Sequence, residues 1–102
     1  MNARKKGRMP ITGKQCKAAR ALLGWDQERL RREASVGKTT VIDFERESRV
    51  PMTHNISAIR RALEEGGVVF IDENGGGRGV RLRTPGEEDV SGAAANDDGD
   101  DE

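Results

Sequence analysis

Residues 27–45 read QERLRREASVGKTTVIDFE. Two short helical patterns meet at a tight turn, Ser35-Val36-Gly37, and the second opens with Lys38 and Thr39. A short helix held at a fixed angle by its neighbour is a common way to enter a DNA major groove. There a lysine ammonium can approach guanine acceptors or a phosphate, and a threonine hydroxyl can hydrogen-bond or touch a thymine methyl. This is recognition chemistry, carried by hydrogen bonds and charge. No set of His, Cys, Ser and carboxylate residues suggests catalysis, so no enzyme activity is expected. The single cysteine, Cys16, excludes an internal disulfide and a four-cysteine metal site. Gly75-Gly76-Gly77 lacks the Lys-Ser/Thr ending of a phosphate-binding P-loop and reads as a hairpin loop. No cofactor, metal or small-molecule ligand is expected.

The elements that must position Lys38 and Thr39 follow from local signals. A first helix is predicted from Gly13 to Leu23, where Thr12 and Gln15 have capping-box spacing. Cys16, Ala19, Leu22 and Leu23 form its inner face, with Cys16 as core filler; Lys14, Lys17 and Arg20 lie elsewhere on the cylinder. Gly24 can take the positive φ that ends a helix. Asp26 caps a second helix from Gln27, with Leu30 and Ala34 inward, and Trp25 is read as core. Val36 plugs the turn. A third helix runs from Lys38 to about Arg46, with Gly37 as its cap and Val41 and Phe44 turned to the core. A fourth runs from about His54 to Glu65 with Thr53 as cap, its stripe being Ile56, Ile59 and Leu63. His54 reads as an ordinary residue near a helix start. The segments Glu45-Arg46-Glu47 and Glu64-Glu65 read as solvated faces.

After Gly66-Gly67 the period changes. Val68-Val69-Phe70-Ile71 is a β-type run, and Val80-Arg81-Leu82-Arg83 alternates apolar and basic residues. An isolated hairpin is barely stable in water, so this one must pack on the helices or pair with a second copy.

Composition sets limits on the whole. The 102 residues suit one small domain, and an apolar fraction of 33% allows only a small core. No apolar run approaches the roughly 18 residues that span a bilayer. The basic N-terminus lacks the apolar segment of a secretory signal. A cytoplasmic protein without membrane contact is expected. The zero net charge hides an asymmetry. Residues 84–102 hold eight acidic and no basic residues, whereas residues 1–83 hold all 18 basic and the other 10 acidic ones, a balance of +8 against −8. A +8 body attracts polyanions. The tail has almost nothing apolar to bury and is expected to stay disordered. It is also a candidate competitor for the basic face, suppressing non-specific DNA binding.

At this point the chain resembles a known family. The segment Gly13 to Pro51 is similar to the phage-repressor and Cro-type helix-turn-helix domain, the XRE family. The likeness is carried by LLGWDQERL, by Gln27, and by the ladder Leu30, Ala34, Val36, Val41, Phe44 and Glu45. Residues 62–82, ALEEGGVVFIDENGGGRGVRL, resemble the C-terminal hairpin of short bacterial members. The resemblance implies that Gln27 clamps a phosphate or supports a base contact, and that Lys38, Thr39 and, one turn on, Asp43 face the groove. The DNA-contacting set it suggests is Gln27, Gly37, Lys38, Thr39, Thr40, Ile42, Asp43 and Arg46. Two departures stand out. Ser35 occupies the turn position usually held by glycine, and Ile42 and Asp43 stand where polar or basic residues are usual. Asp43 repels phosphate and can only accept a hydrogen bond, for example from cytosine N4.

The expected fold is mainly α. A repressor-like helix-turn-helix domain of four to five helices spans residues 11–66, after a flexible basic arm at 1–10. A β-hairpin at 67–83 is the candidate dimerisation element, and an acidic tail occupies 84–102. The expected function is a sequence-specific, double-stranded-DNA-binding transcriptional regulator, a bacterial or phage-like repressor acting by operator occlusion. A homodimer would read two half-sites. The alternative is a protein-interaction module, such as an antitoxin or a factor bridging to the transcription machinery.

Overall fold

Thr12 begins the first helix by a reciprocal exchange. Its Oγ1 accepts from the Gln15 N–H at 3.1 Å, while Gln15 Oε1 accepts from the Thr12 N–H at 2.9 Å. The resulting helix α1 spans Gly13–Leu23 and stops at Gly24, which has φ 73°. Asp26 starts α2, Gln27–Ala34, by accepting from the Arg29 N–H at 2.7 Å. The chain then turns at Ser35 into α3, Lys38–Arg46, and continues to α4, Thr53–Gly66. Strands β1, Val68–Ile71, and β2, Gly79–Leu82, complete the order. This computed structural model describes residues 10–73 and 75–86. The expected basic arm up to residue 9 and the acidic tail from residue 87 lie outside the described residues. The described fold is mainly helical, four helices and one antiparallel hairpin. Among the described residues no helix is long and apolar enough to cross a membrane.

One core serves all six elements. It joins Cys16 and Ala19 of α1, Leu30 and Ala34 of α2, Val36 of the turn, and Val41 and Phe44 of α3 to Ile56, Ile59, Ala62 and Leu63 of α4 and Val68 and Phe70 of β1. Ser35 sits at φ 58° and ψ 46°, a left-handed conformation that costs a side-chain-bearing residue about 1–2 kcal/mol. The turn holds it there: Ser35 N–H donates to Arg32 O at 3.2 Å and Val36 N–H to Arg31 O at 3.1 Å, while Val36 is buried.

The hairpin packs on the helices of its own chain. β1 and β2 pair in the register Val68↔Leu82, Val69↔Arg81, Phe70↔Val80 and Ile71↔Gly79. Opposite residues share a face, so Val68, Phe70 and Val80 meet the core together. The Gln15 amide, already part of the cap of α1, donates to Gly79 O at 2.9 Å and Ile71 O at 3.4 Å. In the loop, the Glu73 carboxylate accepts from the N–H groups of Gly75 and Gly77.

Several expectations are corrected. Thr53 is the first residue of α4 and not its cap. Met52 is extended, and its carbonyl accepts from the N–H groups of Asn55 and Ile56, so helical bonding already begins there. The helix also runs one residue past Glu65, to Gly66, before Gly67 ends it. β2 begins at Gly79 and ends at Leu82, although Arg83 N–H still donates to Gly67 O at 2.8 Å. Leu22 is 42% exposed, because in the last turn of α1 the inner side belongs to Leu23, which flanks Gly66 together with Trp25. Glu64 is fully buried and not solvated: its Oε2 lies 3.0 Å from Arg60 Nε, and Arg60 also reaches Asp72 at 3.6 Å and covers the Phe70 ring. This group joins α4 to the hairpin.

The start of α1 lies directly on the end of α3. A Cβ built on Gly13 would overlap the Phe44 carbonyl, a backbone group that cannot rotate aside. Gly13→Ala is therefore expected to destabilise the fold by about 2–3 kcal/mol, read as a lowered urea midpoint. A change within about 0.5 kcal/mol, the range of an ordinary surface substitution, would mean that the two helices are not in this close contact.

Candidate nucleic-acid interface

Helix α3 has two unlike sides. Val41, Phe44 and Glu45, at i, i+3 and i+4, are buried and fix the helix to the body. Lys38, Thr39 and Arg46 are exposed, as is Gly37 before them; Thr40, Ile42 and Asp43 are half-buried. Gly37 is extended at φ −72° and ψ 149°, and no side chain caps the first N–H groups of α3. Thr39, Thr40 and Asp43 line a concavity of about 290 Å³ together with Arg49, Met52 and Asn55 from beyond the end of the helix. Of the residues expected at the interface, Thr39, Thr40 and Asp43 come together in this concavity, whereas Lys38, Ile42 and Arg46 do not line it.

Gln27 is placed differently. It is half-buried at the start of α2, and its Nε2 donates to Glu45 Oε1 at 3.2 Å. Its amide N–H is turned toward the body of the domain. Trp25 is half-buried against the core, with the Arg29 guanidinium 4.7 Å from its ring centroid.

Glu45 is the hub beneath this surface. Arg20 donates to it twice, Nε to Oε2 and Nη2 to Oε1, each at 2.7 Å. The third guanidinium nitrogen, Nη1, donates to the Trp25 carbonyl at 3.0 Å. The Cys16 thiol donates to Glu45 Oε2 at 3.2 Å. One carboxylate thereby ties α1, α2 and α3 together, with the Trp25 segment held through Arg20. Its side chain is 3% exposed and that of Arg20 15%. Glu45 is therefore no part of a solvated face, and Arg20 lies against it. The signal was present in the spacing: Glu45 stands four residues after Val41, and Arg20 four after Cys16, on the sides that face inward.

Burial alone would raise the Glu45 carboxyl, but hydrogen bonds from Arg20, Cys16 and Gln27, and the Arg20 charge, outweigh it and hold the group below its ordinary range. The Arg20 guanidinium is raised, first by its hydrogen bond to Glu45. The Cys16 thiol is pushed far up, mainly by burial and then by the neighbouring carboxylate, which leaves it protonated as the donor this geometry requires. The ion pairs at the solvent edge, Lys14 with Glu47 and Arg29 with Glu33, are exposed and contribute little.

Glu45→Gln keeps the shape of the hub and removes its charge, leaving Arg20 without its counter-ion. The expected loss is about 3 kcal/mol in urea unfolding at neutral pH. Because the carboxyl is depressed in the folded state, its stabilisation is fully present above its unfolded value, near 4.5, and fades as pH falls through the lowered folded value. The gap between wild type and variant should accordingly narrow on acidification below that point. A gap that stays constant from neutral pH to pH about 3 would show that Glu45 is not the group responsible.

A scan against models of known protein families matches none of them to this chain, and no curated protein matches it.

Proposed function

We propose that this chain is a sequence-specific DNA-binding transcriptional regulator whose third helix enters the major groove, as a helix-turn-helix domain of the repressor type does. The observation that carries the reading is the division of α3 into a buried side fixed by Val41, Phe44 and Glu45 and an open side that begins with Lys38 and Thr39. A rigid mount and an exposed row of cation, hydroxyl and uncapped backbone N–H groups are what base and phosphate contacts need. The +8 balance of residues 1–83 adds the long-range attraction. Repression by occupying an operator requires nothing beyond such binding.

A single module of this size covers only about 600–1,000 Å² of DNA-facing surface. A homodimer reading two half-sites would raise both affinity and specificity. The outer face of the hairpin, with Val69 and Ile71 half-exposed, is the proposed contact between copies. One observation favours the rival reading of a protein-interaction module, such as an antitoxin: Val50 and Met52 are 86% and 67% exposed beside the same surface.

Selection from a random duplex library at physiological salt tests the reading, with full-length protein and the double variant Lys38→Ala/Thr39→Ala in parallel. The expected result is one enriched motif, palindromic for a dimer, that the double variant no longer enriches. If no motif emerges, and salt abolishes whatever binding remains, sequence-specific regulation is ruled out and the protein-partner reading takes its place.

A further inference from the structure

Asp43 is the residue least suited to a surface that faces a polyanion, yet it sits in the middle of one. The chain gives it a partner. Glu47 caps the C-terminus of α3 at φ 58°, and Ser48 N–H donates back to the Asp43 carbonyl at 3.0 Å. This reversal returns the backbone alongside the last turn. Arg49 comes next, and its Nε lies 3.8 Å from Asp43 Oδ2. Both residues line the concavity that begins at Thr39. The two side chains differ in freedom: Asp43 is 26% exposed and Arg49 80%. The carboxylate is therefore the more enclosed member of the pair, and most of the Arg49 side chain is in solvent.

We propose, resting on the DNA-binding reading above, that Arg49 is a base-reading residue that selects guanine, and that Asp43 is its positioning residue. The argument is chemical. A guanidinium offers parallel N–H donors in a rigid planar fork that matches guanine O6 and N7 in the major groove, where lysine brings a compact charge on a flexible stem. A largely exposed arginine by itself samples many rotamers and meets phosphates as readily as bases. A carboxylate 3.8 Å from its Nε edge biases the rotamers of the side chain and leaves the outer edge to donate. The same carboxylate repels phosphate, so it directs the guanidinium toward base edges. On this account the acid on α3 is a specificity device, and the cation that completes the reading surface comes from the segment after the helix.

The test extends the duplex selection to Arg49→Lys, Arg49→Ala and Asp43→Asn, all as full-length protein. Arg49 is exposed and the Asp43 carbonyl, not its side chain, holds the turn, so unchanged urea midpoints are expected for all three. The wild-type motif should contain a guanine in each half-site that Arg49→Ala stops selecting, with a loss of about tenfold or more in preference at that position and the rest of the motif intact, and Arg49→Lys should fall between the two. Asp43→Asn should weaken the same preference several-fold while non-specific affinity rises, since a negative charge is gone. A merely structural role for Asp43 would leave base identity at that position unmoved. If Arg49→Ala keeps the guanine, or weakens all sequences equally with a shallower salt dependence, Arg49 contacts phosphate and the proposal is overturned. A wild-type motif lost in the Lys38/Thr39 variant but untouched by the Arg49 variants removes this inference alone. No wild-type motif at all removes the DNA reading and this inference with it.

Discussion

The bidentate pair between Arg20 and Glu45 is the interaction on which the geometry of α3 depends. Apolar contacts from Val41 and Phe44 seat the helix, but such contacts are non-directional and leave its rotation loosely set. Five hydrogen bonds meet at this hub: three onto Glu45 from Arg20 and Gln27, one from Cys16, and one from Arg20 to the Trp25 carbonyl. Their directionality fixes the angle and register of α3 against α1 and α2. A buried ion pair of this kind is weak evidence for net stability, because desolvating both charges offsets much of their attraction. Directional bonds of this kind favour one arrangement of neighbouring helices over others with similar apolar contacts.

The rest of the fold surrounds that arrangement. Gly13 allows α1 to lie against the Phe44 carbonyl, and Gly66 allows the end of α4 to approach Trp25 and Leu23. The hairpin closes the other side of the core through Val68 and Phe70, held at one end by the Gln15 amide and along α4 by the Arg60, Glu64 and Asp72 group. Among the described residues, polar clusters thus sit at the seams between elements: the Glu45 hub joins α1, α2 and α3, Gln15 joins α1 to the hairpin, and the Arg60 group joins α4 to the hairpin. The exposed side of α3 takes no part in any of them, and it is the side proposed to meet DNA.

How much of this was legible in the sequence depended on the range of the interaction. Thr12, Gln15, Gly24, Asp26 and Gly37 act within a few residues of themselves, and the bounds of α1, α2 and α3 followed from them. Periodicity gave the apolar members of the core. What escaped was mostly charge. Glu45 looks like a solvated residue until Arg20, far along the chain, is brought beside it, and Glu64 until the hairpin closes over its pair with Arg60. Arg49 was missed for a related reason: its place beside Asp43 depends on the left-handed turn at Glu47, which no glycine announces. Thr53 failed as a cap because Met52 already supplies the carbonyl that begins the helix. The surface residues of α3 were legible as a group, whereas the inward turn of the Gln27 amide was not.

The most direct measurement of the central claim is a titration of isotope-labelled protein with a mixed-sequence DNA duplex at low salt, followed by amide chemical shifts. The account predicts that the largest changes fall on Gly37, Lys38, Thr39, Thr40 and Asp43, with the amides of Glu45 and Arg20 changing little because their mount does not move. Changes concentrated instead on the hairpin, or no changes at all, would contradict it.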